Sequence, residues 1–189
     1  MANPRLKSEN EKILAAVLRL ATKGWTHVTI DAVAREAKIP AAKFKQRFTS
    51  PNDIAAFIVA QITQQTISSA GKPTGSAHDI LFDILMARFD IMQKNRHAIL
   101  NIAEAAKRDC ALSRVLAKVS LDSAYTFADA SKITSPPRPV LALGIAAIHA
   151  WAFIAWRRDH SRDMAKTMAA LDRGLRLAGK AAGLLKQNS

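Results

Sequence analysis

Residues 28–48 read VTIDAVAREAKIPAAKFKQRF and predict two short helices joined by a tight corner. Either Thr29 or Asp31 can cap the first helix, because both side chains accept hydrogen bonds from free backbone N–H groups. The corner falls at Lys38-Ile39-Pro40, since a residue before proline avoids helical angles and proline itself suits a helix start. The apolar face of the first helix follows helical spacing through Ile30, Val33, Ala34 and Ala37.

The second helix, residues 41–48, is short and polar except for two phenylalanines four residues apart. Phe44 and Phe48 lie on one face of such a helix, so they can hold it against a core. Its other faces carry three cations and an amide: Lys43, Lys45, Gln46 and Arg47. A polar helix held by a partner helix in this way is typical of a helix-turn-helix, which places its second helix in the DNA major groove.

Length and composition favour an all-α protein of one or two domains. The 189 residues are 49% hydrophobic and include only 7 Gly and 7 Pro. No apolar run reaches the ~18 residues typical of a membrane span, and the polar start lacks the apolar segment of a signal peptide. The single cysteine, Cys110, excludes an internal disulfide and favours a reducing, cytoplasmic location.

The positive charge is concentrated at the two ends of the chain. The formal net charge is +13, of which residues 1–50 contribute +6, residues 51–156 contribute +2 and residues 157–189 contribute +5. A basic block that coincides with a helix-turn-helix is expected of a surface that binds phosphates. A solvated surface without a nucleic-acid partner would have the same composition, so that alternative stays open.

An amphipathic helix is predicted before the helix-turn-helix. It occupies residues 7–23, follows a basic arm at residues 1–7 and ends at Gly24, as helices often end at glycine. Its buried stripe consists of Ile13, Leu14, Val17, Leu18 and Ala21. Trp25 follows directly and is expected to pack against the same small core.

Capping residues and breaks predict the helices that follow. Serine with an acid two or three residues later marks three helix starts, at Ser50 with Asp53, Ser76 with Asp79 and Ser161 with Asp163. Proline and glycine mark breaks at residues 71–75 and 134–139. The predicted helices between these points are 51–69, a helix after Ser76, 95–107, 109–130, the very apolar 140–156 and a last long helix. The apolar helix is expected inside the bundle, at a subunit interface, or both.

Residues 10–60 resemble the N-terminal domain of the TetR family of bacterial transcriptional regulators. The resemblance rests on ILAAVLRLATKGWTHVTIDAVAREAKIPAAKFKQRF followed by a capped connector helix. It implies an all-α, TetR-like fold with a three-helix helix-turn-helix head at residues 1–50 and a helical bundle at residues 51–189, in which residues 51–70 form the connector. It also implies a homodimer through residues 139–178, a palindromic operator in double-stranded DNA and a small apolar effector whose binding changes the spacing of the two heads.

The resemblance assigns DNA contacts to five residues of the helix-turn-helix. Lys45 and Arg47 fall where family members touch phosphate, and Thr29 matches a position that bonds the phosphate backbone. Lys43 and Gln46 are the candidates for reading base edges, since lysine suits guanine and glutamine suits adenine.

The sequence departs from the family pattern at three positions. The recognition helix has Ala42 and Lys45 where the family usually has Gly and Tyr. Pro51 stands where a lysine often follows the serine cap of the connector helix, which removes one possible phosphate donor.

An effector pocket in the bundle would be lined by apolar side chains with a few polar groups. The candidates are Phe82, Met86, Phe89, Tyr125, His149 and Trp151, with Arg88 as a further polar candidate. The apolar candidates are first of all expected in the packed core, and His149 is expected to be a core or interface histidine satisfied by a hydrogen bond.

A second resemblance gives an alternative function. Residues 81–90 and the segment ending at Leu175 are similar to TetR-fold proteins that bind isoprenoid lipids in ubiquinone biosynthesis. In residues 173–186 basic side chains alternate with leucines, so this segment could lie on an anionic membrane. A basic helix end that complements its own dipole explains the pattern better, because Gly174, Gly179 and Gly183 weaken the helix.

The recognition helix favours DNA over the lipid alternative. Lys43, Lys45 and Arg47 alternate along it, and gathering such cations without counter-charges is unfavourable unless a polyanion binds. We therefore expect these side chains to be free of the protein's own acids.

No enzyme motif or cofactor motif is present. The five histidines show no metal-ligand spacing with cysteine or carboxylates, and the sequence has no phosphate loop or nucleophile motif. We expect neither catalysis nor a bound metal.

Overall fold

A computed structural model describes residues 4–72 and 74–187, with side chains described for residues 9–72 and 74–181. Within these ranges the chain forms nine α-helices, one short 3₁₀ turn at Trp25–His27 and no strand. The helices are α1 Pro4–Ala21, α2 Ile30–Glu36, α3 Ala41–Arg47, α4 Pro51–Ala70, α5 Ala77–Lys94, α6 Arg96–Ala106, α7 Cys110–Ser131, α8 Arg138–Arg157 and α9 Ala165–Gln187.

The all-α prediction is confirmed, and helix boundaries differ from the predicted ones by a few residues. α1 begins at Pro4, so the basic arm predicted for residues 1–7 is wrong from residue 4 onward, and residues 1–3 lie outside the described part. α8 begins at Arg138 instead of residue 140, because Pro137 serves as its N-cap and a proline is tolerated in the first turn.

The chain divides into two compact units. The first comprises Met1–Ile62 with Met92–Val119, and the second comprises Thr63–Ile91 with Ser120–Ser189. The division into a head at residues 1–50 and a bundle at residues 51–189 stays a prediction.

In the first unit, α1 supplies the central apolar stripe. Ile13, Leu14, Val17 and Ala21 are at most 6% exposed, as the helical spacing predicts, whereas Leu18 is only half-buried. Asn101 of α6 donates hydrogen bonds from Nδ2 to the carbonyl oxygens of Ala21, at 2.9 Å, and Thr22, at 3.1 Å. This amide satisfies carbonyls that the C-terminal end of a helix leaves free, so it fastens α6 to the end of α1.

Two helix starts are confirmed in detail. At α4, Asp53 Oδ2 accepts hydrogen bonds from the backbone N–H groups of Thr49 and Ser50, while Ser50 Oγ accepts from Asp53 N. Ser76 and Asp79 form the same reciprocal arrangement at α5. These are capping boxes in which aspartate takes the place of the usual glutamate.

The predicted start of α9 is confirmed for Ser161, whose Oγ accepts from the backbone N–H of Ala165 at 3.0 Å, and is wrong for Asp163. Asp163 lies outside the first turn, which contains no acid, because the helix begins only at Ala165. Asp159 instead anchors the corner, with Oδ1 accepting from the Ser161 backbone and Oδ2 accepting from the backbone and hydroxyl of Thr167. The acid is fully buried, and its bonds reach eight residues along the chain, beyond the range of a capping pattern.

In the second unit, α8 and α9 pack closely at a glycine. A Cβ added to Gly174 would lie 3.1 Å from Ile148 Cγ2 and 3.2 Å from Trp151 Cε3. The outward face of α8 leaves large apolar side chains exposed, including Val140, Leu143 and Ile154.

Candidate functional site

The corner of the helix-turn-helix forms where the sequence predicts it. Thr29 caps α2, with its Oγ1 accepting from Ala32 N at 3.2 Å. Lys38 turns the chain in the left-handed region, with φ of 56°, and Pro40 is the N-cap of α3, one residue before its first helical residue. The corner thus sets α3 directly after α2, with its N-terminal end defined by proline.

Two phenylalanines fix α3 on the core of the first unit, as predicted. Phe44 is 2% exposed and Phe48 is 4% exposed, and their ring centroids lie 4.7 Å apart. Phe48 also meets Phe57 of α4 edge to face, with centroids 5.4 Å apart. One face of α3 is therefore buried against the core and cannot contact a partner.

The predicted base-reading and phosphate-binding residues lie on the remaining surface of α3. All four are exposed to solvent: Lys43, Lys45, Gln46 and Arg47. Thr29 is also exposed, and although its oxygen caps α2, its hydroxyl hydrogen remains able to donate. The structure brings the five predicted residues onto α3 and the start of α2, and their contact with DNA stays a prediction.

The expectation that these cations lack counter-charges is wrong for both lysines. Lys43 pairs with Glu9 of α1, and Lys45 Nζ lies 3.0 Å from Asp31 Oδ1 of α2. Both acids come from other helices, Glu9 from α1 and Asp31 from α2, so the sequence of α3 alone does not reveal them. Arg47 instead stacks its guanidinium over the rings of Phe48 and Phe57, at 5.0 and 4.9 Å from the centroids.

The Lys45–Asp31 pair is weak because water reaches both of its side chains, whereas Glu9 in the Lys43 pair is only 19% exposed. The side chains of Lys43 and Lys45 are 57% and 58% exposed. Exposed ion pairs contribute only about 0–1 kcal/mol, since solvent and salt screen them. A phosphate could therefore replace the Asp31 carboxylate at little energetic cost.

The predicted effector residues are dispersed over the second unit. Phe89 is fully buried, whereas Phe82 and Met86 are half-buried, and Phe82 lines an open groove of about 400 Å³ beside α9. Trp151 is 40% exposed and packs on Gly174. The guanidinium carbon of Arg138 lies over the ring of Tyr125, 4.7 Å from its centroid. Of this set, the structure brings Phe89 and His149 together, with rings stacked at 5.2 Å.

A buried polar cluster forms around Arg88 on α5. Its Nε donates to His149 Nε2 at 3.2 Å and its Nη1 donates to Thr63 Oγ1 at 3.0 Å. Thr63 Oγ1 in turn donates to Ser123 Oγ at 2.8 Å. The guanidinium also lies over the ring of Phe127, 5.5 Å from its centroid. We call these residues the Arg88 cluster: Thr63, Arg88, Ser123, Phe127 and His149.

Burial sets the protonation of the Arg88 cluster. Loss of water lowers the pKa of Arg88 to about 10, so the guanidinium is still charged near neutral pH. Burial, with the nearby Arg88 charge, lowers the pKa of His149 to about 3, so this ring is neutral. Because Arg88 Nε always bears hydrogen, Nε2 of His149 is the acceptor and the ring proton lies on Nδ1.

Sequence analysis did not single out Thr63 or Ser123. The only sequence feature that could have indicated them is a small hydroxyl residue in an apolar helix, and such residues are common in helices without a binding site. Among the described residues, no group of three or more His, Cys, Asp or Glu is arranged to hold a metal ion.

One helix has the composition of a membrane span. In the part of the chain that the structure describes, α8 alone is long and apolar enough, and 33% of its apolar window is buried in the protein. A core helix or a helix at a protein interface passes the same test. The possible membrane segment at residues 173–186 extends beyond the described side chains, and within it Arg176 pairs with Asp172 at 2.9 Å.

The fold matches solved structures of TetR transcriptional regulators. A regulator from Rhodococcus sp. RHA1 superposes with a TM-score of 0.68 at 16% identity, covering 92% of this chain and 96% of that chain. A regulator from Nitrosomonas europaea ATCC 19718 superposes with a TM-score of 0.72 at 14% identity, covering 90% and 97%. No protein-family model and no curated protein matches the sequence. The chain therefore has the TetR fold over nearly its whole length, which confirms the fold that the sequence predicts.

Proposed function

We propose that this protein is a cytoplasmic, dimeric transcription regulator of the TetR type, repressor-like, which binds a palindromic DNA site and responds to an apolar small molecule. The observation that carries the proposal is α3. It is held to the core by Phe44 and Phe48 while its remaining faces expose Lys43, Lys45, Gln46 and Arg47. Helix-turn-helix proteins place a helix of this kind in the major groove.

The exposed side chains divide into two roles. Lys45 and Arg47, with Thr29, bind phosphate oxygens and so position the helix without reading sequence. Lys43 and Gln46 contact base edges. The acids that pair with the lysines do not exclude this role, because both lysine side chains are more than half exposed and DNA offers a denser negative charge.

A second copy of the chain is the partner that fits the outward face of α8. Val140, Leu143 and Ile154 are 50%, 57% and 54% exposed, and they recur at helical spacing on one side. A self-complementary apolar face of this kind suits a two-fold interface, in which each subunit covers the same patch of the other. The interface would comprise residues 139–178, with Leu177 of α9 adding further exposed apolar surface.

The dimer has a direct test. Substitution of Leu143 by Glu places a charge in the centre of the proposed interface, so we expect a monomer in sedimentation velocity. Ala117→Glu, an exposed substitution on α7 outside residues 139–178, is the control and should leave the dimer intact. A monomeric wild-type protein would contradict the proposed assembly.

The DNA-binding role is tested by selecting bound fragments from random duplex DNA. The selected sites should be palindromic, with half-sites about one helical turn apart, and affinity should fall steeply with salt. Lys45→Ala should weaken every site alike, whereas Lys43→Ala or Gln46→Ala should change which sites are preferred. Lys94→Ala, at an exposed position of α5, is the matched control.

The same preparation tests the alternative of an isoprenoid-lipid carrier. That function predicts co-purified apolar lipid, liposome binding that requires residues 173–186, and no enriched DNA site. Enrichment of no sequence, together with unchanged affinity in Lys45→Ala, would contradict the regulator proposal.

A further inference from the structure

Arg88 is a buried cation without a counter-ion. It is 4% exposed. All 15 Asp and Glu residues of the chain have described side chains, and none of them forms an ion pair with Arg88. Only the loss of water changes its pKa, which indicates that no carboxylate lies close enough to stabilise the charge.

The neutral partners of Arg88 orient the guanidinium but do not balance its charge. Nε and Nη1 donate to His149 and Thr63, whereas Nη2 donates to no described residue and keeps some accessible surface, since Asn10 Oδ1 is the one described side-chain atom that is fully buried without a partner. An isolated buried charge is unfavourable unless it is paired and its donors are used. The guanidinium thus retains both a positive charge and a free pair of donors on one edge, the combination that carboxylates bind well.

The surroundings of this charge are aromatic. Phe127 lies against the guanidinium, and Phe89 stacks on His149. Phe153 stacks on His149 from α8 with centroids 6.4 Å apart. Because His149 is neutral, the Arg88 cluster carries a single positive charge in an apolar environment, and one negative charge on a ligand would neutralise it.

A small pocket opens one helical turn away from the Arg88 cluster. Its lining includes Ile67, Ile84 and Ala130, which lie three or four residues from Thr63, Arg88 and Phe127 on α4, α5 and α7. One turn is about 5.4 Å along a helix. The pocket also includes Gly71, Lys72 and Thr74 in the segment between α4 and α5, so it faces the end of these helices, and Asp83 of α5 adds an acid to its wall. Its volume of about 30 Å³ suits a water molecule, and a longer ligand would have to widen it.

We propose that the effector is an amphiphile with one anionic head, a carboxylate on an apolar chain, and that the head binds Arg88 while the chain extends between α4, α5 and α7. This inference rests on the proposed function, because it names the ligand class of the effector site. The carboxylate takes the unused donors of Arg88, and the aromatic side chains and the pocket wall contact the apolar chain.

The test compares two probes that differ only in the head. Decanoate and decanol are titrated into the full-length protein below the micelle concentration, and binding is followed by calorimetry. We expect decanoate to bind at least about tenfold more tightly than decanol, because only the carboxylate forms a charge-assisted pair. Equal affinities would overturn the proposal, and this comparison needs no variant.

Variants then test whether the charge of Arg88 causes the preference for decanoate over decanol. Arg88→Gln should reduce the affinity for decanoate to that for decanol, and Arg88→Lys should retain part of the preference. Lys94→Gln removes a charge from an exposed position of the same helix and should change neither affinity. Undiminished decanoate binding by folded Arg88→Gln would overturn the proposal. If Arg88→Gln does not fold, Arg88→Lys and the wild-type comparison decide.

The titrations contain no DNA, so they separate this inference from the proposed function. A protein that prefers decanoate through Arg88 but selects no DNA site supports the ligand class and contradicts the regulator proposal. A protein that binds a palindrome but shows no preference for decanoate contradicts the ligand class alone.

Discussion

Lys45 on α3, the proposed recognition helix, and Asp31 on α2 form an ion pair, with Nζ 3.0 Å from Oδ1. Asp31 is itself 64% exposed, so the pair lies on the surface proposed to meet DNA. A phosphate can bind Lys45 only by displacing this carboxylate or by sharing the lysine with it. The acid therefore competes with DNA for a cation that the proposed function requires.

We predict that Asp31→Asn raises DNA affinity. The change frees Lys45 and removes a negative charge that repels phosphate, so affinity should increase about three- to tenfold at low salt. The dependence of log affinity on log salt should also steepen, by up to about one unit. Fluorescence anisotropy with the selected duplex at several salt concentrations measures both effects.

A charge control separates this local effect from a change in net charge. Asp90→Asn makes the same substitution at an exposed position of α5 and should leave affinity within about twofold, because it removes the same charge without freeing a lysine of α3. Equal gains in both variants would show that Asp31 acts only through net charge. A loss of affinity in Asp31→Asn would contradict the assignment of Lys45 to phosphate.

Two glycines of α9 give a matched pair of opposite predictions. A Cβ at Gly174 would lie 3.1 Å from Ile148 and 3.2 Å from Trp151, whereas a Cβ at Gly179 meets nothing within 4 Å. Gly174→Ala should therefore lower the free energy of unfolding by about 1–3 kcal/mol through overpacking. Gly179→Ala should raise it by about 0.5–1 kcal/mol, because alanine loses less conformational freedom in a helix.

Urea denaturation of both glycine variants checks the α8–α9 contact. The two substitutions add the same methyl group to the same helix, so helix propensity favours both equally. A stabilised Gly174→Ala would contradict the close approach of α9 to Trp151.

His149 should make the protein sensitive to mild acid. Its pKa is lowered to about 3 in the folded protein from an ordinary value of 6.5, so the unfolded chain takes up the proton first as pH falls. Stability from the neutral ring is thus complete above about pH 6.5 and declines below it. Between pH 6.5 and 4.5 the loss should approach about 2 kcal/mol, since one pKa unit corresponds to 1.36 kcal/mol.

The measurement is the difference between wild type and His149→Gln in urea unfolding at several pH values. The variant cannot be protonated at this position, so it should lose less stability over this range. His97→Gln, at an exposed position of α6, is the control and should follow the wild-type curve. Parallel curves for wild type and His149→Gln would show that the ring is accessible to water.

The sequence predicted features that depend on residues close together in the chain. The capping boxes of Ser50 with Asp53 and Ser76 with Asp79 span three residues, and Phe44 with Phe48 spans four, so helical geometry alone determines each contact. The Lys43–Glu9 pair spans 34 residues and the Arg88–His149 bond spans 61. Such pairs depend on how helices pack, and a single sequence does not contain that information. The Lys43–Glu9 pair was missed for this reason, whereas Arg88 and His149 were both named as polar candidates, with a hydrogen bond expected for His149, but were not paired with each other.

Asp159 shows how a local pattern can mislead and gives the last prediction. The segment Asp159-His160-Ser161 with Asp163 fits a serine-capped helix start, yet the structure buries Asp159 and starts α9 at Ala165. Burial alone would raise the pKa of Asp159, but hydrogen bonds from Ser161 and Thr167 outweigh it and hold the pKa well below its ordinary value. Four donors therefore depend on this one charge.

Asp159→Asn should lower the free energy of unfolding by about 3 kcal/mol at pH 7, because its amide group presents hydrogens to donors that need an acceptor. Since the folded pKa is depressed, the contribution of Asp159 is complete above about pH 4 and declines as the unfolded chain is protonated below that pH. In urea unfolding, the difference in free energy of unfolding between wild type and Asp159→Asn should accordingly become smaller from pH 7 to pH 3. Asp163→Asn, an exposed acid in the same corner, should change stability by less than about 0.5 kcal/mol. Equal effects of the two substitutions would mean that the corner is held by its backbone and not by the buried carboxylate.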